Sequence, residues 1–283
     1  MADTDQLRAE RDGYKLAYDT LAPVLGYLRS VAAPVIRENV APELAEKPGV
    51  FLATLPKSAT VFIGQSLRRT LGYDFTSTIV TNTWPKNVVW EPMAWDFARG
   101  GMVAATHMQP DGYNLDVLKR FGIRKIVVHM RDPRAALSSW FHFRTAYGQA
   151  FTDLERLSHV AVPMSETFRS ANKAVQMDHF IQYFFEPCVE WIKGWLDAID
   201  NDRELNILLR THEYLATDET GYFQTILDFY GLDAKIVAAE KTDMTHFRKG
   251  DNTSWREDLT ADQLNFVNSR IPASIAYRLG WVA

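Results

Sequence analysis

Lys57, Ser58 and Thr60 fall within Leu55-Pro56-Lys57-Ser58-Ala59-Thr60-Val61-Phe62, an octapeptide that follows an apolar run ending at Thr54 and opens a helix-like segment. A strand, a short loop and a helix start together make a place for an anion. The first N–H groups of a helix have no internal partner, the helix dipole favours negative charge there, and Lys57 adds a full positive charge beside two hydroxyls. No G-x-x-x-x-G-K-[ST] occurs in the chain, so an ordinary ATP or GTP loop lacks its main support. A turn after an edge strand, with the lysine in solvent, accounts for the same eight residues.

Two further segments carry groups of the right kind. Ile126-Val127-Val128-His129-Met130 has the β-branched composition of a buried strand, and it runs into Arg131-Asp132-Pro133-Arg134 before the helical Ala135 to Phe143. Arg131 is thereby placed at the carboxyl end of a strand, where open α/β sheets bind ligands, and Pro133 suits the first position of the helix that follows. Thr106-His107-Met108-Gln109-Pro110 follows another predicted strand, so His107 shares that edge. A neutral imidazole there suits proton removal near neutral pH. Of the other histidines, His129 lies inside a strand and His142 in an aromatic helix segment that reads as packing. His159, His179, His212 and His246 have no motif around them.

Together, P-K-S-A-T-V-F and R-D-P-R-A-A-L-S-S-W-F-H-F resemble the two signature segments of the sulfotransferases that use 3′-phosphoadenosine 5′-phosphosulfate (PAPS). Thr106 to Pro110 resembles the family's T-H-x-x-P segment, which carries its catalytic histidine. Phe247 to Arg256 resembles the late R-K-G-x-x-G-D-W-K loop. The resemblance spans roughly residues 50 to 256, in the family's order. It implies a P-loop-like α/β fold, a central parallel β-sheet flanked by helices, with PAPS as donor and adenosine 3′,5′-bisphosphate (PAP) as product.

The resemblance also implies roles. His107 takes the proton of an acceptor hydroxyl or amine, and Lys57 stabilises charge on the bridging oxygen of the leaving bisphosphate. Thr60 and the neighbouring backbone N–H groups of the Ser58, Ala59, Val61 and Phe62 stretch hold the 5′-phosphate. Arg131, Ser139, Arg248, Lys249 and Gly250 grip the 3′-phosphate, a task suited to the planar donor fork of arginine. Because a sulfuryl group carries less charge than a phosphoryl group, lysine and backbone donors suffice and no metal is required.

Several positions depart from the family pattern. Ala59 replaces a loop glycine, so the loop either avoids positive φ there or accepts roughly 1 kcal/mol of strain. Phe62 stands where a tryptophan often stacks on adenine, and Ala105 replaces a lysine that frequently precedes T-H. Asn252 to Ser254 lacks the late loop's second glycine. A C-terminal dimer motif is partly echoed by Arg256 and Thr260, which leaves a homodimer possible. For the acceptor, Trp84, Trp90, Trp95 and Phe97 crowd one segment, with Phe143 and Tyr147 able to join them. With Glu91 and Asp96 beside them, they suit a small, partly apolar acceptor, including one with a cationic group. A kinase-like phosphotransferase using ATP, or a nucleotide-binding module without turnover, is the alternative; neither explains why both Lys57 and His107 are kept without a Walker lysine.

These side chains need a scaffold, and 283 residues suffice for one α/β core. Val50 to Thr54, Thr76 to Thr81, Met102 to Thr106, Ile126 to Met130 and Leu205 to Leu209 read as strands. Thr60 to Leu71, Leu115 to Phe121, Pro133 to Phe143 and the aromatic Asn172 to Ile199 read as helices between them, the alternation that a parallel sheet requires. Thr260 to Gln263 has capping-box spacing and should start the last helix. Residues 1–46 are expected to form an N-terminal helical extension packed on the domain, from a stripe of apolar residues between Leu7 and Leu28 broken near Pro23, and 47–283 to form the sulfotransferase-like domain. A net charge of −4 provides no global field for nucleic acid. The single cysteine, Cys188, fits a reducing, cytoplasmic setting and reads as a small buried hydrophobe. No leader-like start and no apolar stretch of about 20 residues for a membrane span is visible.

Overall fold

Val50–Thr54 (β1) is buried along its whole length, as a strand covered on both faces must be. In the computed structural model, which describes residues 47–76, 79–80, 84–147, 170–240 and 253–281, it lies at the centre of a five-stranded sheet. Its companions are Asp74–Thr76 (β2), Met102–Thr106 (β3), Lys125–Met130 (β4) and Asn206–Thr211 (β5), in the order β2-β3-β1-β4-β5. Every pairing is parallel; Leu52 faces Ala105 on one side and Val127 on the other. All five carboxyl ends therefore point to one edge. The chain lays down β2 and β3 on one side of β1 and then crosses to β4 on the other, and ligands of open α/β sheets sit beside such a crossing point.

The helix Thr60–Leu71 (α1) follows β1 and buries Phe62, Ile63 and Leu67 in a cluster with β1 residues Val50 and Leu52. The same cluster takes Tyr222, Phe223, Ile226 and Leu227, which belong to a helix over Glu219–Tyr230. Gly64 is needed for close approach: a Cβ there would stand 2.2 Å from the ring of Phe75 on β2. Further helices cover Glu91–Ala98 (α2), Gly112–Arg120 (α3) and Pro133–Tyr147 (α4). Then come Lys173–Phe180 (α5), a π-helical turn over Ile181–Phe185, and Glu186–Asn201 (α6), with Trp191, Trp195 and Cys188 buried on α6. Burial pushes the Cys188 thiol well above its ordinary pKa, in keeping with a packing role.

His212–Thr217 (α7), the 219–230 helix (α8), Trp255–Asp258 (α9), Ala261–Arg270 (α10) and Ala273–Leu279 (α11) complete the described chain. Thr260 and Gln263 form the anticipated capping box. Three features depart from the sequence reading. The second strand is Asp74–Thr76 and not Thr76 to Thr81, because Asp74 to Thr76 are the residues in register with Met102 to Ala104; Val80 makes only an antiparallel bridge to Val89. The α3 helix starts three residues earlier than expected, where the Asp111 carboxylate accepts from Asn114 N–H. Helices α2, α7, α8, α9 and α11 were not anticipated, although Asp218, accepting from Gly221 N–H, is a capping residue of ordinary kind for α8. Among the described residues no helix is long and apolar enough to cross a membrane. The 1–46 extension lies outside the described residues.

Candidate functional site

The carboxyl end of β1 leads into the loop Leu55 to Ala59, and the neighbouring strand β4 holds that loop from the side. Leu55 N–H donates to His129 O at 2.9 Å, His129 Nε2 lies 2.7 Å from Ser58 O, and Arg131 Nη1 donates to Lys57 O at 2.7 Å. A carbonyl can only accept, so Nε2 of His129 carries its proton, and Nδ1 accepts from the Tyr222 hydroxyl 2.8 Å away. His129 is fully buried, and burial pulls its pKa down to about 3, opposed only in part by the Ser58 bond. It stays neutral and works as a loop clamp. The sequence reading set His129 aside as a strand residue; its reach to Ser58 depends on β4 lying beside β1, which no local motif reveals.

With its carbonyls held, the loop leads directly into the start of α1. Ala59 adopts φ 71°, ψ 26° and Lys57 φ 64°, both left-handed, so the chain accepts the strain that a glycine would avoid. No side chain caps α1 and no acid lies in its first turn, which leaves the helix start open to an anion. The Lys57 ammonium lies 4.0 Å from the centre of the Phe143 ring, and burial, followed by the field of Arg131, lowers its pKa to about 8. Thr60 Oγ1 meets Thr54 Oγ1 at 2.8 Å. Phe62 is buried against Phe223, and Val61 is partly exposed. Ser139, on α4, is half-buried, whereas the preceding Ser138 donates to Asp258. These residues fit a phosphate: an uncapped helix start, a lysine and an arginine meet at one edge.

His107 follows β3 at the same edge. Its Nδ1 lies 2.9 Å from Thr54 O and must be the protonated nitrogen, which leaves the Nε2 lone pair to accept a proton. Burial is the main cause that lowers its pKa; the Thr54 bond opposes this, and the nearby Lys57 charge adds to it. The backbone beyond is pinned at three successive carbonyls. Asn87 Nδ2 donates to His107 O at 3.0 Å, the indoles of Trp191 and Trp195 donate to Met108 O at 2.7 and 3.1 Å, and Asn114 Nδ2 donates to Gln109 O at 2.9 Å. Asn114, fully buried, also accepts from Val89 N–H and donates to Asn87 O. None of these four side chains was singled out from the sequence, because an Asn or Trp in a helix carries no sign of the distant carbonyl it will meet.

The predicted acceptor residues divide. Trp84 lies edge-on to His107 with ring centres 6.4 Å apart, and Phe143 lies under Lys57. Trp90 is exposed, Trp95 packs against Arg99, and Phe97 sits in the core against Phe51. Glu91 pairs with Arg120 at 2.8 Å and Asp96 with Arg99 at 3.5 Å. His142, read as packing, pairs with Asp258 at 2.8 Å. Arg248, Lys249, Gly250 and the Tyr147 side chain lie outside what the structure describes. A separate cavity of about 460 Å³ is lined by Ile181, Gln182, Gln263 and Phe266 among others, and contains none of the loop residues.

Residues 102–245, just over half of the chain, match the family model described as a sulfotransferase domain. The match includes His107, Arg131 and Ser139; the Lys57 loop precedes it. No curated protein matches the chain. Among solved structures, a mouse sulfotransferase, SULT7A1, complexed with PAP is similar over 80% of this chain and 83% of that one, at 17% identity and a TM-score of 0.52. Retinol dehydratase in a complex with retinol and PAP covers 81% and 82% at 18% identity, TM-score 0.46. A sulfotransferase from Alicyclobacillus acidocaldarius covers 82% and 96% at 14% identity, TM-score 0.47. The likeness to the mouse protein is one of fold.

Proposed function

This chain belongs to the sulfotransferase domain family, and from that premise we propose that it transfers a sulfuryl group from PAPS to a hydroxyl or amine of a small, partly apolar acceptor. The observation that carries the reading is the convergence, at the carboxyl edge of β1, β3 and β4, of an uncapped helix start, Lys57, Arg131 and an imidazole whose unprotonated nitrogen is left free for chemistry. The donor supplies an electrophilic sulfur and a leaving bisphosphate. His107 Nε2 accepts the acceptor's proton as the attacking atom approaches that sulfur, and the imidazolium so formed is stabilised through Nδ1–H and Thr54 O. Lys57 places its ammonium where negative charge grows on the departing oxygen. The start of α1, with Thr60, receives the 5′-phosphate, while Arg131 and Ser139, joined by the 248–250 segment, receive the 3′-phosphate.

Ala105, where the family often has a lysine, is buried in β3, so Lys57 acts as the cation nearest the reacting atoms. Its pKa near 8 leaves it mostly protonated at neutral pH, and an arriving phosphate holds the proton more firmly. Calorimetric titration with PAP, AMP and ATP tests the donor assignment. PAP should bind most tightly, and Arg131→Ala should weaken it by about 1.5–3 kcal/mol more than AMP, since a charge-assisted bond to the 3′-phosphate is lost. Some loss for AMP is expected too, because Arg131 also holds Lys57 O. Tighter binding of ATP than of PAP, or equal losses for PAP and AMP, would move the protein to another donor.

A further inference from the structure

A run of aromatic contacts leads from His107 along one side of the site. Trp84 meets His107, Phe184 meets Trp84 at 6.2 Å, Trp140 stacks on Phe184 at 4.9 Å with planes 4° apart, and the Arg144 guanidinium lies 5.8 Å from the centre of the Trp140 ring. Phe143, beneath Lys57, touches Trp140 from the other side at 5.7 Å. Phe184 enters this run from the π-helical turn, a distortion that often marks functional segments of helices. The wall is therefore built from three separate stretches of chain and joins both reacting side chains, His107 and Lys57.

Polar atoms along this wall lack partners. Trp84 Nε1, Trp140 Nε1 and Arg144 Nε are buried donors without a hydrogen bond, and among the described residues no carboxylate pairs with Arg144. Arg144 is only 5% exposed, and burial alone holds its pKa below the ordinary arginine value. A buried guanidinium nitrogen with neither a hydrogen bond nor a counter-charge beside it is costly, and native proteins contain few such groups without a reason. The arginines elsewhere in the core show the contrast: Arg134 gives its donors to Asp132, Asn268 and Trp281 O. Arg144 and Trp140 stand one helical turn apart on α4, so both donors serve one face.

We propose that Arg144, with the Trp140 indole N–H, receives an anionic group of the acceptor, so that the acceptor is an aromatic or otherwise flat apolar molecule with a nucleophilic hydroxyl or amine at one end and a carboxylate at the other. The inference rests on the sulfotransferase reading and specifies its substrate class. The sign is opposite to the one suggested by Glu91 and Asp96, whose charges are taken up by Arg120 and Arg99. Rings of the acceptor lie along the partly exposed Trp140 and Phe143, with the buried Trp84 and Phe184 packed behind them, which places the hydroxyl toward His107 and Lys57 and the carboxylate toward Arg144.

A length series of acid and methyl ester pairs tests this: 4-hydroxyphenylacetate, 3-(4-hydroxyphenyl)propanoate and 4′-hydroxybiphenyl-4-carboxylate, each against its ester. Binding to the PAP-loaded protein is read by tryptophan fluorescence and turnover with PAPS by PAP release. At least one acid should exceed its ester tenfold or more in kcat/KM, and Arg144→Met should bring that ratio to near one. In the ligand-free protein the same variant should keep or raise the melting temperature, because an unpaired buried charge is removed; a purely structural arginine would lower it. Esters equal to or better than acids at every length, no binding of any acid, or an unchanged ratio in Arg144→Met overturns the proposal. PAP titration run alongside separates this failure from that of the donor assignment, since a protein that ignores PAP fails at the earlier step.

Discussion

The loops after β1 and β3 reach the same edge of the sheet, yet they are restrained from opposite directions. The β1 loop is held by its immediate neighbour in the sheet, with His129 and Arg131 of the β4 segment gripping Ser58 O and Lys57 O. The β3 loop is held from afar, by Asn87, by Asn114 on α3 and by two tryptophans of α6. In both, side chains occupy backbone carbonyls, which fixes the loop and leaves its outward groups for ligands. The difference is in what each loop can vary. On the proposed reading, a donor loop clamped within the sheet would be tied to one nucleotide geometry, whereas an acceptor side assembled from distant helices could change its wall without disturbing the phosphate site.

The most severe way to break this division is at His107. If the imidazole serves the acceptor's proton and not the donor, His107→Ala should lower kcat by about 10²–10⁴-fold while PAP affinity hardly changes. A variant that folds and turns over at near-native rate would remove the base assignment. A variant that loses PAP binding in step with turnover would mean that the two loops form one donor site.

This contrast also explains what could be read in advance. The alternation of strands and helices along the chain, the β1 loop and the β4 end were legible, because each rests on local signals: apolar runs, a proline at a helix start, a charged turn between strand and helix. β1, α1 and β3 have the anticipated limits. The clamp residues were not legible. His129 looks like any histidine in a buried strand until Ser58 is beside it, and Asn114 becomes the centre of a network only when the 87–89 and 107–109 segments meet. Likewise Phe184 turns toward Trp84 and Trp140 through a π-helical turn whose sequence, Ile181 to Phe185, has no breaker. Side-chain-to-carbonyl bonds across long sequence separations follow from tertiary placement, and periodicity carries no information about them.

A smaller effect should come from the clamp itself. His129→Gln removes a buried hydrogen-bonded imidazole and should cost about 1–3 kcal/mol of stability near pH 7.5, with weaker PAP binding because Ser58 O is released. Its pH dependence has a definite sign. His129 has a folded pKa of about 3, below the ordinary histidine value, so the unfolded chain binds the extra proton as the pH falls below about 6.5. The stability gained from the neutral, buried imidazole is full above that point and declines toward pH 3, by about 1.4 kcal/mol per unit. The difference between wild type and variant, followed by chemical denaturation from pH 7.5 to pH 5, should shrink accordingly. A difference independent of pH would mean that His129 is not held neutral.

The mildest perturbation is Ala59→Gly, and it isolates strain from contact. Ala59 at φ 71° is in a region that costs a non-glycine residue about 1–2 kcal/mol, so glycine relieves strain in the folded state. Glycine also loosens the unfolded chain, which offsets about 0.4–1 kcal/mol of that gain, and the alanine methyl gives up some packing against the core cluster. The balance predicts a rise in melting temperature of about 1–3 °C. PAP affinity should stay within about twofold, because the carbonyl clamps from His129 and Arg131, and not the Ala59 side chain, set the direction of the loop N–H groups. A large gain in PAP affinity would show that the alanine holds the loop away from its binding geometry, and the donor loop would then lose its claim to be the preorganised half of the site.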